Sequence, residues 1–109
     1  MKSLTRDLFV VTIKFVKIEF DPAKSEKNVR ERGLPFDLAA GFDFDSAYIV
    51  EDDRRDYGET RYRAIGRLSN DVAVVVFTMR RDAIRIISLR FANRKERLSY
   101  ENWHKKEEG

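Results

Sequence analysis

The chain has 109 residues, of which 42% are hydrophobic, and its formal net charge is +3. This length is enough for one compact domain with a core of its own, and we expect no second domain. The sequence contains no cysteine and one histidine, His104, which excludes disulfides and a thiolate nucleophile and disfavours a conventional zinc site. We expect no cofactor. Because charged residues interrupt the apolar N-terminal segment, we expect neither a signal peptide nor a membrane span, and a cytoplasmic location.

The distribution of charge along the chain is uneven. Residues 18–59 carry twelve acidic and six basic side chains, whereas residues 60–99 carry three acidic and ten basic ones. Guanidinium groups pair with phosphates in a bidentate manner, so an arginine-rich second half favours a polyanion-binding face. The alternative is a solvated surface whose charges have no specific partner.

The N-terminal elements are a strand and a helix. Residues 8–20 alternate in polarity towards their end, which predicts a strand. A helix is predicted over residues 22–32, since Asp21 suits the N-cap, Pro22 the first helical position and Gly33 a left-handed C-cap.

Few apolar side chains are available to pack the predicted N-terminal helices against the rest of the chain, and a second helix follows the first. In the helix over residues 22–32, Ala23 and Val29 are the expected inward-facing residues. A second short helix is predicted over residues 36–42, after Pro35. Its apolar face is formed by Phe36, Ala39, Ala40 and Phe42.

The period then changes to that of strands. Strands are predicted at residues 47–50, 60–67, in the central segment VAVVVFTM and at residues 83–90. Short connections join antiparallel neighbours, so we expect a meander. Asn93 and Glu96 form a capping box for a C-terminal helix over residues 94–105. The predicted fold class is α+β, an antiparallel meander sheet with two N-terminal helices packed on one face and a C-terminal helix.

Arginines concentrate on one face of the strand at residues 60–67. Alternation places Arg61, Arg63, Ile65 and Arg67 on one face, and Tyr62, Ala64, Gly66 and Leu68 on the core face. If the helices cover the core face, the opposite face is an open basic surface. It is flanked by Glu59 and Tyr57, and it suits phosphates and stacked bases.

The strand at residues 83–90 carries Arg85 and Arg90. They are an odd number of residues apart and point to opposite faces of a regular strand, so both share a face only if a bulge or the strand end breaks the alternation. Arg90, at the transition from strand to helix, is the favoured functional residue. Structural ion pairing is the favoured role for Arg63, Arg67 and Arg85.

With no cysteine, one histidine near the end of the chain, and no recognisable serine triad or phosphate-binding glycine loop, the sequence lacks the groups that most enzyme classes need, but RNA cleavage remains possible. RNA carries its own nucleophile, the 2′-hydroxyl, so arginines suffice to align it and to stabilise the developing charge, while a carboxylate or tyrosine assists proton transfer. We take Arg61, Arg90 and Glu59 as candidate catalytic residues. The less favoured alternative is a metal site among Glu51, Asp52, Asp53 and Asp56, which lack calcium-loop spacing.

Four segments resemble the BrnT family, the toxin half of a type II toxin–antitoxin pair. They are IEFDPAKSEKNVRERGLPFD, VEDDRRDYGETRYRAIGR, VVVFT and IRIISLRFANRKE, and the resemblance runs from about Val16 to Tyr100. It implies a RelE-like fold and a metal-independent endoribonuclease that slows translation. It also implies a BrnA-like antitoxin that covers the active face, a 2:2 assembly, and operator DNA bound through the complex.

The resemblance also implies site residues. The arginine preceding the A-I-G segment corresponds to Arg61, and the arginine closing I-I-S-x-R corresponds to Arg90. Arg94, Lys95 and Glu96 match the family's closing R-K-E. Lys24 and Asn28 match its D-P-x-K-x-x-x-N pattern. Together with Arg63 and Arg85, Lys24, Arg94 and Lys95 are the candidate RNA contacts.

The chain departs from the family pattern in two places. The family commonly closes its first helix with Lys-His-Gly, where this chain has Glu31, Arg32 and Gly33. Family members begin near Lys17, so residues 1–15 form a predicted extension, a strand or disordered, before a single domain over 16–105 and a tail over 106–109. The replaced histidine supports an alternative function, a non-catalytic module that binds a partner or takes part in a regulatory DNA complex.

Overall fold

A computed structural model describes residues 17–108 of the chain. Its elements are β1 (Lys17–Glu19), α1 (Pro22–Arg32), a 3-10 helix (Phe36–Gly41), β2 (Tyr48–Glu51), β3 (Tyr62–Leu68), β4 (Asp71–Arg80), β5 (Ala83–Phe91) and α2 (Arg94–Glu108). The predicted extension over residues 1–15 lies outside the described part. Between residues 17 and 108, no helix has both the length and the apolar character needed to cross a membrane.

The strands form one five-stranded sheet in the order β1-β5-β4-β3-β2. β2 to β5 are antiparallel neighbours, but β1 pairs with β5 in parallel, with Ile18 opposite Ile84. The prediction of a wholly antiparallel sheet was therefore wrong. β1 lies at the edge of the sheet beside β5, and not beside β2, the strand that follows it in the chain. The apolar segment VAVVVFTM lies in β4, the central strand, with Val74 and Val75 fully buried on opposite faces.

The helix α1 begins and ends as the sequence predicts. The side chain of Asp21 accepts a hydrogen bond from the backbone N–H of Ala23, and Gly33 ends the helix with φ +76°. Its packing differs from the prediction, because Ala23 and Val29 are exposed and the buried residues are Ser25 and Asn28. α1 is thus anchored mainly by polar contacts.

These polar contacts join α1 to the chain that follows it and to the sheet. The Ser25 hydroxyl accepts from the backbone N–H of Phe36 at 2.8 Å. Asn28 donates to the carbonyls of Leu34 and Leu89 at 2.6 and 2.8 Å. Buried polar groups need such partners, so Asn28, which matches the family pattern, has a structural role here.

The second predicted N-terminal helix is a 3-10 helix and not an α-helix. With six residues it ends at Gly41, and Phe42 continues in extended conformation. Phe36, Ala39 and Phe42 pack into the main core as predicted, but Ala40 is exposed. The fold therefore has one N-terminal α-helix. It packs with the 3-10 helix on one side of the sheet, which we call the inner face.

Close packing on the inner face depends on a glycine. A Cβ atom at Gly66 would lie 2.9 Å from the Cβ atom of Ala47 and 2.9 Å from Cζ of Phe42. These distances are too short for real Cβ contacts, so β3 needs a glycine where the segment before β2 crosses it.

The opposite side of the sheet, which we call the arginine face, carries Arg63, Ile65 and Arg67 of β3. It is not fully open as predicted, because α2 packs against part of it. Tyr100 of α2 is 6% exposed and packs with Ile65, Val72 and Val74, the core of this second layer. The helices therefore lie on both faces of the sheet, and α2 leaves only part of the arginine face uncovered.

Candidate functional site

A β-bulge brings Arg85 and Arg90 to the same face. Along β4, Val76 is opposite Ser88 but its neighbour Phe77 is opposite Ile86, so Ile87 is an extra residue in β5. Arg90 pairs with Val74 and Arg85 with Thr78, residues that share a face of β4. A bulge is one of the two conditions under which the sequence allows Arg85 and Arg90 to share a face, and it places both on the arginine face.

Arg90 is held in a bidentate ion pair by Glu96 of α2. Its two terminal nitrogens donate to Oε1 and Oε2 of Glu96, each at 2.7 Å. Pairing with Glu96 raises the pKa of Arg90, whereas burial and the nearby charge of Arg54 act to lower it. The hydrogen bonds from Arg90 lower the pKa of Glu96, against the effect of burial. At neutral pH the pair is therefore fully charged.

Glu96 also completes the predicted capping box of α2. The backbone N–H of Asn93 donates to Glu96 Oε1 at 3.0 Å, and the N–H of Glu96 donates to Asn93 Oδ1 at 2.8 Å. The same carboxylate therefore fixes both the start of α2 and the direction of Arg90.

Glu59 links two arginines at the neighbouring end of the face. Its carboxylate accepts from Arg61 Nε at 3.4 Å and from Arg80 at 3.1 Å. The Arg61 guanidinium also lies 4.3 Å from the centre of the Tyr57 ring, at cation–π distance. The candidate catalytic residues Arg61 and Glu59 are thus in contact with each other.

Asp52 supports the loop that carries these residues. Its side chain is 1% exposed and accepts from Arg54 at 2.7 and 2.9 Å and from the Tyr57 hydroxyl at 3.2 Å. The bonds from Arg54 are the main cause that lowers the pKa of Asp52 to about 2. Asp52 is therefore an ion-pair partner and not an open metal ligand, and residues 17–108 contain no cluster of three or more His, Asp or Glu side chains able to hold a metal.

A cleft of about 340 Å³ opens between the arginine face and the start of α2. Its sheet side is formed by Tyr48, Val50, Arg63 and Ile65, and its helix side by Asn93, Lys95, Glu96 and Ser99. Arg63 stands between the two clusters of ion pairs. Its charge contributes to lowering the Glu96 pKa, after the larger effects of Arg90 and Asn93.

Of the arginines on this face, Arg63 and the exposed Arg67 have no carboxylate partner within residues 17–108. Arg61, Arg80, Arg85 and Arg90 all have carboxylate partners, Glu19 lying 3.6 Å from Arg85. Arg63 has no ion pair within residues 17–108, and its Nε atom is buried without a hydrogen-bond partner. Sequence reasoning favoured ion pairing for Arg63, and the part of the chain that the structure describes offers it none.

The structure brings some of the sequence-predicted residues together and separates others. Arg63 and Lys95 line the cleft, and Arg90 lies beside it through its pair with Glu96. Arg61 and Glu59 lie beyond the cleft on the same side of the sheet. Arg94 is exposed at the start of α2 but does not line the cleft. Lys24 is exposed on α1, which packs on the inner face, so it is not part of this group.

Sequence reasoning missed Tyr48, Ser99 and Arg54. Tyr48 could have been found from alternation, since in an edge strand it stands on the face opposite buried Ile49. No local signal reveals Ser99 or Arg54, because their positions depend on how α2 and the loop after β2 fold over the sheet.

All but one of the residues that line this cleft lie within the region that matches a known family. A family model described as ribonuclease toxin, BrnT, of type II toxin-antitoxin system matches residues 20–96. The chain belongs to the BrnT family. Membership in this family implies an antitoxin protein as partner. A search of the curated proteins gives no match. The match ends at Glu96, so it includes every cleft residue except Ser99.

Proposed function

We propose that this BrnT protein is an endoribonuclease that cleaves RNA without a metal ion and thereby inhibits translation. The observation that carries the proposal is the concentration of guanidinium groups on one face of the sheet, beside a cleft that is lined by Arg63, which has no carboxylate partner within residues 17–108. A phosphodiester would supply the anion that this arrangement lacks. A RelE-like relationship of the fold is part of the same proposal.

The proposed reaction uses the 2′-hydroxyl of the substrate as nucleophile. Its oxygen attacks the adjacent phosphorus, the bond from phosphorus to the 5′-oxygen breaks, and the products are a 2′,3′-cyclic phosphate and a 5′-hydroxyl. One proton leaves the 2′-hydroxyl and one is delivered to the leaving oxygen. Arg90 and Arg61 are proposed to stabilise the charge that develops on the phosphate oxygens.

Glu59 is the proposed proton acceptor. Its contact with Arg61 keeps the carboxylate next to a group that would bind the reacting phosphate. Arg63, Arg85, Arg94 and Lys95 are proposed to bind neighbouring phosphates. Lys24, on α1, is proposed to contact only RNA that extends past the sheet.

The proposed partner is a BrnA-like antitoxin that covers the arginine face. A 2:2 assembly, with operator DNA bound through the antitoxin, is proposed on the family resemblance alone. Such a partner would have to neutralise the same cations that bind RNA, so an acidic segment in the antitoxin is expected.

The test is cleavage of a labelled RNA by purified protein in excess EDTA, with identification of the product ends. Wild type should leave 2′,3′-cyclic phosphates, and Arg61→Ala and Arg90→Ala should each lower the rate by about 100-fold or more, as expected for loss of a charge-stabilising donor. Arg67→Ala, exposed on the same face outside the cleft, is the matched control.

Thermal melts of each variant separate loss of chemistry from loss of fold. If naked RNA remains intact, the same proteins are added to a translating lysate. Intact RNA in both assays would overturn the nuclease.

A second candidate is a module of the same fold that binds a partner but does not cleave. The carboxylate pairing of Arg61, Arg85 and Arg90 favours it, since paired arginines serve structure as readily as catalysis. Induction in a bacterial host discriminates the two. Growth arrest that an adjacent antitoxin reverses supports the nuclease, whereas harmless accumulation of folded protein supports the non-catalytic module.

A further inference from the structure

We propose that the cleft between β3 and α2 binds one nucleotide of the RNA, with its phosphate on Arg63 and its base against Tyr48. This inference rests on the proposed function and deepens it, because it assigns a nucleotide subsite beside the Arg90–Glu96 pair. The candidate residues predicted from the sequence include neither Tyr48 nor Ser99.

The first support is the state of Arg63. The Nε–H of Arg63 is buried without a hydrogen-bond acceptor. A buried donor without an acceptor destabilises the folded state, and native proteins retain few such groups. A phosphate in the cleft would accept from the Arg63 guanidinium after a rotation of its side chain, which has no carboxylate partner to give up within residues 17–108. Lys95 adds a second positive charge at the helix side.

The second support is the form and lining of the cleft. Its volume of about 340 Å³ lies at the lower end of the range for small-ligand sites, about 300–1,000 Å³. Tyr48, Val50 and Ile65 make one wall aromatic and aliphatic, which suits the face of a base. An anion site alone would not need this apolar wall.

The third support is the polar rim opposite that wall. The Ser99 hydroxyl is exposed and has no partner within the described residues, so it is available to the edge of a base. Glu96 keeps its charge through Arg90 and disfavours a phosphate directly beside it. The phosphate is therefore assigned to the Arg63 and Lys95 side, and the base to the space between Tyr48 and Ser99.

Tryptophan fluorescence can report on the occupation of this cleft. Trp103 is its one tryptophan, and its ring centre lies 5.3 Å from that of Tyr48. A base that contacts Tyr48 should change the Trp103 fluorescence. Titration with 2′-O-methyl dinucleotides, which cannot be cleaved, therefore measures binding without requiring catalysis.

Two variants and a matched control test the assignment. Arg63→Gln removes the unpaired charge and should weaken dinucleotide binding by about tenfold or more, as hydrogen bonds to charged groups predict. Ser99→Phe fills the cleft from its exposed rim and should also abolish binding. Arg67→Gln removes the same charge from the same strand and face outside the cleft, and should change affinity less than about twofold.

Each outcome supports or overturns the subsite. Equal effects of Arg63→Gln and Arg67→Gln would overturn it, and so would binding of inorganic phosphate as tight as that of the dinucleotides. Loss of antitoxin binding in Arg63→Gln with unchanged dinucleotide binding would assign the cleft to the partner and overturn the proposal. Dinucleotide binding that depends on Arg63, in a protein that cleaves no RNA, would support the subsite and overturn only the nuclease.

Discussion

Glu96 combines two structural tasks, and its charge should be visible in the stability of the protein. The carboxylate accepts two hydrogen bonds from Arg90 and one from the backbone of Asn93. Its side chain is 16% exposed and that of Arg90 28%, so solvent screens the pair only in part. We expect Glu96→Gln to lower the free energy of unfolding at pH 7 by about 1–2 kcal/mol.

The pH dependence follows from the direction of the shift. Pairing with Arg90 lowers the pKa of Glu96 in the folded protein below its ordinary value of 4.5. The stabilisation is therefore complete above pH 4.5 and is lost as the pH falls through the lower folded pKa.

Urea unfolding at several pH values should accordingly show a difference between wild type and Glu96→Gln at pH 7 that shrinks below pH 4.5. Glu101→Gln, exposed on the same helix, serves as control and should cost less than about 0.5 kcal/mol. A loss that is the same at pH 3 and pH 7 would contradict the ion-pair explanation.

Individual residues also differ in how far the sequence alone predicts their contacts. The capping box of Asn93 and Glu96 and the caps of α1 at Asp21 and Gly33 are local patterns, and the structure confirms them. Whether Arg63 has a partner depends on residues far away in sequence, so no local pattern could show that the arginine expected to be paired lacks one.

At the scale of elements, local signals predicted which segments fold but not how they pack. Helix α1, the C-terminal helix and the alternation of β3 were predictable because caps and period depend on near neighbours. The 3-10 helix and the bulge at Ile87 were not, since tertiary packing decides them. The parallel pairing of β1 and the position of α2 are non-local in the same way.

Tyr100 is the buried residue of the contact between α2 and the arginine face, beside the Arg90–Glu96 pair and the contact of Trp103 with Tyr48, and it makes a testable contrast. Tyr100 is 6% exposed and packs with Ile65, Val72 and Val74, whereas Leu98, on the same helix, is 47% exposed. Truncation of a buried aromatic side chain costs about 3–5 kcal/mol. We expect Tyr100→Ala to lower the unfolding free energy by about 3 kcal/mol, and Leu98→Ala by less than about 0.5 kcal/mol.

Urea denaturation followed by circular dichroism would measure both variants. Because Lys95 and Ser99 of α2 line the cleft, Tyr100→Ala should also weaken RNA binding under conditions where it remains folded. An equal loss of unfolding free energy in the two variants would mean that α2 is not anchored through the side that carries Tyr100.

For the molecule as a whole, acidic residues of the first half neutralise arginines of the second. Glu19 pairs with Arg85, and Glu59 pairs with Arg61 and Arg80. RNA must therefore compete with carboxylates of the protein itself for these guanidinium groups. The affinity for RNA and its dependence on salt should both be smaller than the number of arginines alone would give.

Glu59→Gln tests this competition. The change frees Arg61 and Arg80, so an uncleavable 2′-O-methyl RNA should bind several-fold more tightly and with a steeper salt dependence, by about one to two released counterions. Glu101→Gln changes the net charge by the same amount without touching an arginine of this face, and should leave the salt dependence unchanged. Fluorescence anisotropy at several salt concentrations measures both variants.

Cleavage by the same variant separates the two roles of Glu59. If Glu59 accepts the proton of the 2′-hydroxyl, Glu59→Gln binds RNA more tightly and yet cleaves it at least about 100-fold more slowly. Tighter binding with faster cleavage would mean that Glu59 competes with RNA for the arginines but does not accept the proton. Another group on the arginine face would then be the base. Identical salt dependence in Glu59→Gln and Glu101→Gln would contradict the competition itself, since only Glu59 contacts arginines that RNA would have to reach.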